Sequence, residues 1–306
     1  MGIVLEVGEG NCGSRPVMAE DSHWHKAKSK PKTDQIPSTC QLVAVDVDGT
    51  LLTSSGVVAC SSIRTAVEAR ERGVTVVLAS SRGPVGLLPV LRSLDMRSSW
   101  FIAYQGALVA RWTEAGLETL FERRVDPTVA GVIERTAVAS RISIGRYVDS
   151  RWHVPSLDAL IMRESSITGE EPILVSLEEM SELESPHKLL AMVDASSADR
   201  LRTLSQSLPA DAQAVFSHDN YLEITARGVD KATGLVALAE YLSIRLVTGG
   251  AAIGDGVNDL GMFAVTGTSF AMGNAPASVK SAATFVTADN DHDGVASALT
   301  ALLARG

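Results

Sequence analysis

The chain has 306 residues, a net charge of −9, and 45% hydrophobic against 21% charged residues, the balance of a folded globular protein. Its acidic charge and its low aromatic content, 5%, argue against a protein that binds along nucleic-acid phosphates or stacks single-stranded bases. No apolar run reaches transmembrane length. From these three features together we expect neither a nucleic-acid partner nor a membrane partner.

The cysteines and the amino-terminal residues indicate a compartment. Cys12, Cys40 and Cys60 form an odd set without metal-ligand or redox spacing, which suits a reducing environment. The amino terminus lacks the basic, then apolar, then small-residue order of a secretion signal. These features predict a cytoplasmic protein and leave its oligomeric state open.

Residues 1–40 differ in composition from the rest of the chain. They hold scattered Gly, Pro and Ser residues and a short basic patch between His23 and Lys32 that shows no periodicity. Such a segment buries too little apolar surface to order itself, so we predict a disordered leader. An arm that binds a partner or nucleic acid is the alternative interpretation.

From residue 42 onward, short apolar runs alternate with amphipathic helical patterns. The runs at residues 42–45, 74–79 and 101–104 are typical of strands that are covered on both faces. This alternation predicts an α/β fold in which a Rossmann-like parallel sheet forms the core.

The pattern changes between residues 126 and 228, where an inserted α+β cap domain is predicted. Its predicted elements are a helix at 126–139, strands at 142–148 and 188–193, a helix at 198–208 and a hairpin across 215–225. Asp230 then caps a further helix, and the α/β alternation resumes. The core therefore comprises residues 41–125 and 229–306.

Two carboxylates follow the first predicted strand. Because a strand alternates its faces, Asp46 and Asp48 can point the same way while Val47 points into the core. Two like charges about 4 Å apart repel by roughly 4 kcal/mol near a protein surface, and a divalent metal is the usual compensation. Gly49 permits a sharp turn, and Thr50 offers a hydroxyl at its rim. Turn-forming acids without further function are the alternative.

Two other positions fit the binding of an anion. Ser80 directly follows the second strand, where its hydroxyl can bind a phosphoryl oxygen. Lys231 begins a helix, a place where the helix dipole and the ammonium group would both face an anion. A strand-end serine and a solvated surface lysine are the plain alternatives.

A third carboxylate, Asp255, follows the apolar run at residues 251–253. Asn258 can donate to an oxygen, and Asp259 can lie in or just behind the ligand shell of a metal. Oxygen ligands without Cys or His favour Mg²⁺ over Zn²⁺. Because ligands bind at the carboxyl ends of parallel strands, we expect all these segments to meet there.

Four ordered motifs together resemble those of the haloacid dehalogenase superfamily, and the insertion resembles that of its Cof-type phosphatases. The motifs are Asp46-Val47-Asp48-Gly49-Thr50, Ser80-Ser81-Arg82, Lys231, and Gly254-Asp255-Gly256-Val257-Asn258-Asp259. The resemblance covers about residues 42–303.

The resemblance implies a role for each motif. Asp46 would attack phosphorus and form an aspartyl-phosphate, while Asp48 would protonate the leaving oxygen and then activate water. The residues implied to hold Mg²⁺ are Asp46, Asp48, Asp255 and Asp259. Those implied to bind phosphate oxygens are Ser80, Lys231 and Asn258.

The resemblance therefore implies a Mg²⁺-dependent phosphatase for a small phosphorylated metabolite, such as a sugar phosphate or a cofactor- or nucleotide-like phosphomonoester. A phosphomutase that uses the same intermediate is one alternative. A non-catalytic ligand-binding protein of the same fold is another, although the intact pair of Asp46 and Asp48 disfavours it.

Overall fold

The computed structural model describes residues 40–304. The predicted leader at residues 1–40, with Cys12, therefore lies outside the described residues except for Cys40.

Fourteen strands lie in the described part of the chain. They are β1 (Leu42–Asp46), β2 (Thr75–Ala79), β3 (Phe101–Ala103), β4 (Leu108–Thr113), β5 (Gly116–Glu122), β6 (Ser143–Val148), β7 (Arg151–Val154), β8 (Pro172–Leu174), β9 (Lys188–Met192), β10 (Ala212–His218), β11 (Tyr221–Ala226), β12 (Gly250–Gly254), β13 (Thr268–Ala271) and β14 (Phe285–Val286).

Eleven α-helices accompany them within the same residues. They are α1 (Cys60–Glu71), α2 (Pro84–Ser93), α3 (Pro127–Ala139), α4 (Ala159–Thr168), α5 (Leu177–Glu182), α6 (Ala198–Gln206), α7 (Lys231–Tyr241), α8 (Leu246–Gly249), α9 (Leu260–Val265), α10 (Ala277–Ala282) and α11 (Gly294–Leu303). No helix among residues 40–304 is both long enough and apolar enough to cross a membrane.

The described residues divide into two compact units. The first comprises residues 40–78, 90–96 and 242–304, and the second comprises residues 79–89 and 97–241. The core and cap domains predicted from the sequence have different limits from these two units, and those limits stay a prediction.

The first unit contains a parallel sheet with the strand order β14-β13-β12-β1-β2. Strands β1 and β12 run parallel, with Val45 opposite Ile253, and β12, β13 and β14 continue the parallel pairing. Every residue of β1 and β12 is buried, as expected for a parallel sheet that is covered on both faces. The carboxyl ends of β1 and β12 therefore lie side by side.

The second unit contains the antiparallel strands β3-β4-β5 and a six-stranded sheet ordered β10-β11-β9-β6-β7-β8. In the six-stranded sheet only the pair β7 and β8 is parallel. One of its faces packs an apolar core that includes Ile144, Leu189 and Leu222 against residues of α3 and α6. The predicted fold class, an α/β protein with a Rossmann-like parallel core and an inserted α+β cap, is confirmed.

Local sequence explains several of these elements. Asp126 caps α3 because its Oδ1 accepts from the backbone N–H of Thr128 at 2.8 Å, and Pro127 suits the first helical position. Each predicted element between residues 126 and 228 has a counterpart within a few residues, whereas β7, β8, α4 and α5 were not predicted there.

Candidate active site

The first predicted acid ends strand β1, and the chain turns sharply after it. Asp46 is the last residue of β1 and is buried, whereas Asp48 is exposed. Val47 is fully buried, which confirms that it points into the core. Gly49 has φ +80°, a left-handed conformation that glycine adopts without strain, so the predicted turn is confirmed as well. The pair Asp46 and Asp48 thus flanks the start of a tight loop.

Asp255 follows β12 and is fixed against this same loop. The Thr50 hydroxyl donates to Asp255 Oδ1 at 2.8 Å. The Asn274 amide donates to the Gly49 carbonyl oxygen at 2.8 Å and to Asp255 Oδ2 at 3.3 Å. A Cβ atom at Gly49 would lie 2.5 Å from Asp255 Oδ2, so a side chain there would displace the carboxylate. These contacts set the position of the third predicted acid.

Asp259 is fully buried in the turn after β12. Its Oδ2 accepts from the backbone N–H groups of Asp255 at 3.0 Å and Gly256 at 2.9 Å. One carboxylate oxygen of Asp259 thus orders the backbone beside Asp255. This is the arrangement expected of a group that supports a metal ligand from behind.

The structure brings three of the predicted acids together. Asp46, Asp255 and Asp259 each offer a carboxylate oxygen, and these oxygens lie within 4.8 Å of one another. Their mutual repulsion favours a bound cation, and a set of carboxylate oxygens suits a hard divalent ion. The three residues therefore fit a Mg²⁺ site.

A second cluster among the described residues has a different character. Glu122, Asp149 and His187 also offer closely spaced ligand atoms. The Arg124 guanidinium, however, lies 2.6 Å from Asp149 and 3.0 Å from Glu122. Because one side-chain cation already pairs with both carboxylates, we assign the cluster to an ion-pair network rather than to a metal site.

Ser80 lies in the second unit, at the start of a loop that is anchored through its backbone. Its N–H donates to the Ile102 carbonyl oxygen at 2.9 Å, and its own carbonyl accepts from Gln105 N–H at 3.1 Å. Its hydroxyl oxygen accepts from Arg82 N–H at 3.1 Å. Since the oxygen acts as an acceptor there, the hydroxyl hydrogen can donate to a ligand oxygen.

Lys231 is the first residue of α7, and its side chain is fully buried in the second unit. The preceding residue, Asp230, accepts from Thr233 N–H at 2.9 Å and caps the helix as predicted. The backbone of Gly106 passes so close that an added Cβ would overlap the Asp230 carbonyl oxygen. The simple interpretation of Lys231 as a solvated surface lysine is therefore wrong.

The remaining predicted residue, Asn258, is half-buried in the turn that carries Asp259. The structure thus brings together the carboxylates of Asp46, Asp255 and Asp259 in the first unit. The roles assigned from the sequence stay predictions; they concern Asp46, Asp48, Ser80, Lys231, Asp255, Asn258 and Asp259.

Sequence reasoning missed two residues that touch Asp255. Thr50 was placed at the rim of the turn without a partner, and Asn274 was given no role. Asn274 lies three residues after the end of β13, the strand that pairs with β12. Its position after a buried strand was the signal that could have indicated it.

Comparisons with known proteins agree with this architecture. A family model described as haloacid dehalogenase-like hydrolase matches residues 43–299. The HMP-PP phosphatase of Citrobacter koseri is 26% identical over 236 residues, which cover 77% of this chain and 85% of that protein.

Two solved structures extend the comparison. A haloacid dehalogenase-like hydrolase from Bacteroides thetaiotaomicron is 29% identical, with a TM-score of 0.77, over 86% of this chain and 100% of that chain. The HAD subclass IIB sugar phosphatase BT4131 is 20% identical, with a TM-score of 0.76, over 85% of this chain and 98% of that chain. The second likeness is one of fold alone.

Proposed function

Because this chain belongs to the haloacid dehalogenase-like hydrolase family, we propose that it is a Mg²⁺-dependent phosphatase acting on a small phosphorylated metabolite. The observation that carries the proposal is the convergence of the Asp46, Asp255 and Asp259 carboxylates where β1 and β12 end side by side. The name of the Citrobacter koseri relative supports a phosphatase. A sugar phosphate or a cofactor- or nucleotide-like phosphomonoester is the proposed substrate class.

In the proposed mechanism a carboxylate oxygen of Asp46 attacks the phosphorus atom. The bond from phosphorus to the ester oxygen breaks, and Asp48 gives its proton to that leaving oxygen. Asp48 then takes a proton from water, which attacks the aspartyl-phosphate and releases inorganic phosphate from Asp46. The exposed side chain of Asp48 suits a group that must reach leaving groups and water.

The proposed Mg²⁺ ligands are Asp46, the backbone carbonyl of Asp48, and Asp255, with Asp259 in support. When bound, the ion would offset the negative charge of the phosphoryl oxygens and the surrounding carboxylates. Thr50 and Asn274 hold Asp255 in place for this role.

The residues proposed to bind the phosphoryl oxygens are Ser80, Lys231 and Asn258. Lys231 supplies a cation at the amino terminus of α7, where the helix dipole also favours an anion. Ser80 supplies a hydroxyl whose direction its loop controls. We also propose that the protein is cytoplasmic, because its cysteines lack the spacing of metal ligands or redox pairs.

A panel of phosphomonoesters incubated with Mg²⁺ tests the proposal. Phosphorus NMR of the products separates a phosphatase, which releases inorganic phosphate, from a phosphomutase, which returns an isomeric ester. The Asp46→Asn variant is expected to keep its melting temperature and to lose essentially all turnover, while Ser80→Ala loses only part. Comparable turnover by purified Asp46→Asn would refute the nucleophile, and an inactive but ligand-binding wild type would favour the non-catalytic alternative.

A further inference from the structure

The loop that carries Ser80 is held by two charged side chains from the inserted segment. We call residues 80–86, which comprise the loop after β2 and the first turn of α2, the serine loop. Lys188 Nζ donates to the Ser81 carbonyl oxygen at 2.8 Å, and Glu170 Oε1 accepts from Gly86 N–H at 3.0 Å. All of these residues belong to the second unit. The two contacts fasten the loop at both of its ends.

Lys188 is itself rigidly held. It begins β9 and is almost fully buried, on the sheet face opposite the apolar core. Its Nζ lies 2.7 Å from Glu223 Oε2 and 4.5 Å above the Tyr147 ring. A buried ammonium is tolerated only with such partners, and they fix its position. The ammonium is therefore a firm anchor for the Ser81 carbonyl.

Glu170 lies just beyond the end of α4 and is buried. The loop leaves room for it, since a Cβ at Gly83 would lie 2.6 Å from Glu170 Oε1 and 2.7 Å from the Tyr104 hydroxyl oxygen. Burial raises the pKa of Glu170, and the nearby Lys188 ammonium and the Gly86 N–H oppose that rise. The Glu170 carboxylate is thus fitted to the backbone donors of the loop.

We propose that Glu170 and Lys188 are positioning residues that hold the serine loop in the conformation that presents the Ser80 hydroxyl to a phosphoryl oxygen. This inference rests on the proposed function. If these two residues hold the loop, the affinity for the phosphoryl group depends on the inserted segment. This dependence should be the same for substrates with different leaving groups.

Two sets of variants perturb the serine loop, and each is designed so that no charge is left buried without its partner. Glu170→Ala removes the acceptor of Gly86 N–H, and Glu171→Ala, on the exposed neighbouring residue, is its matched control. Lys188→Met alone would leave Glu223 buried without its cation, so the double variant Lys188→Met/Glu223→Gln removes the whole pair. Lys188→Arg keeps the charge and is the rescue variant.

Two measurements without turnover test the proposal. Amide hydrogen exchange of residues 80–87 in the ligand-free protein is expected to accelerate about tenfold in Glu170→Ala and in the double variant. Binding of inorganic phosphate with Mg²⁺, measured by calorimetry, is expected to weaken on the order of tenfold in the same proteins. Glu171→Ala should change neither, and Lys188→Arg should recover part of the affinity.

In turnover assays the KM for a phosphomonoester should rise by the same factor as the inhibition constant of inorganic phosphate, with a smaller change in kcat. Unchanged exchange would show that the two contacts do not order the loop. Faster exchange with unaltered phosphate binding would overturn the positioning role. A wild-type protein that binds no phosphate would overturn the proposed function and the role of the loop with it. The exchange data would still show whether the two contacts order the loop, because they are measured without ligand.

Discussion

The carboxylate of Asp259 accepts a hydrogen bond from the backbone N–H of Asp255 at 3.0 Å. The same oxygen also accepts from Gly256 N–H, so a fully buried carboxylate holds the turn that presents Asp255. Outer groups of this kind orient the ligands of a metal, and their removal typically lowers metal affinity by about 10- to 100-fold.

Removal of the Asp259 carboxylate should therefore weaken the proposed metal site without removing Asp255, its proposed ligand. In Asp259→Ala we expect the Mg²⁺ concentration for half-maximal activity to rise about 10- to 100-fold. Calorimetric titration with Mg²⁺ provides a readout that does not depend on turnover. The exposed Asp219→Ala is the matched control, and an unchanged Mg²⁺ requirement in Asp259→Ala would contradict the assigned role.

Thr50 offers a second test of how Asp255 is held. Its hydroxyl is buried and donates to Asp255 Oδ1 at 2.8 Å. Thr50→Val keeps the shape but removes the donor, so we expect the free energy of unfolding to fall by about 1–3 kcal/mol and Mg²⁺ binding to weaken. Thr50→Ser keeps the hydroxyl and should retain most of both. Equal behaviour of the two variants in denaturant and Mg²⁺ titrations would show that the hydrogen bond is unimportant.

The sequence predicted those parts of the fold that depend on local pattern. The apolar run before Asp46 and the helix cap at Asp230 are visible in neighbouring residues, and both were found. The hairpin of β4 and β5 was missed although Gly116 marks its turn. The contact of Asn274 with Asp255 could not be predicted in the same way, because it depends on the pairing of β12 with β13 and no local pattern encodes that pairing.

The burial of charged groups was equally hard to predict. Arg146, Tyr147 and His187 are polar residues of the inserted segment, and all three are buried. No role was predicted for Lys188 or Glu170, because the segment that they contact is far away in the sequence. Sequence alone identifies charged residues but not which of them the fold encloses.

His187 should make the stability of the protein depend on pH. Its Nδ1 accepts from Asp149 N–H at 3.3 Å, so Nε2 carries the proton and donates to Glu122 at 3.1 Å. Burial, and to a lesser degree the Arg124 charge, lower the pKa of His187 from its ordinary value of 6.5. The stability that the neutral ring contributes is therefore present above pH 6.5 and is lost as the pH falls through the lowered pKa.

We expect the free energy of unfolding to fall on acidification from pH 7.5 to 5, and His187→Asn to reduce that fall. Denaturant titrations at several pH values measure both slopes. His218→Asn changes an exposed histidine and should leave the slope as in the wild type. A pH dependence unaltered in His187→Asn would assign the effect to other groups, among them His153, whose pKa is also lowered by burial.

The buried pair of Arg146 and Glu134 should be costly to break. The guanidinium Nε and Nη2 donate to the two oxygens of Glu134 at 2.7 and 2.9 Å. Arg146→Met would leave that carboxylate buried without a partner, at a cost of about 3–5 kcal/mol in the free energy of unfolding. The double variant Arg146→Met/Glu134→Gln removes the charge as well and should recover most of the loss.

The loss in Arg146→Met should also depend on pH. Burial raises the pKa of Glu134, and the Arg146 guanidinium opposes this, so removal of Arg146 allows the pKa to rise further. An acid whose pKa is raised by folding stabilises the protein only below that pKa, and the benefit is lost as the pH rises. We therefore expect a larger loss at pH 8 than at pH 5 in denaturant titrations. Arg111→Met, which breaks the exposed pair with Glu118, should show no such dependence, and equal losses for Arg146→Met at both pH values would mean that Glu134 stays charged without its partner.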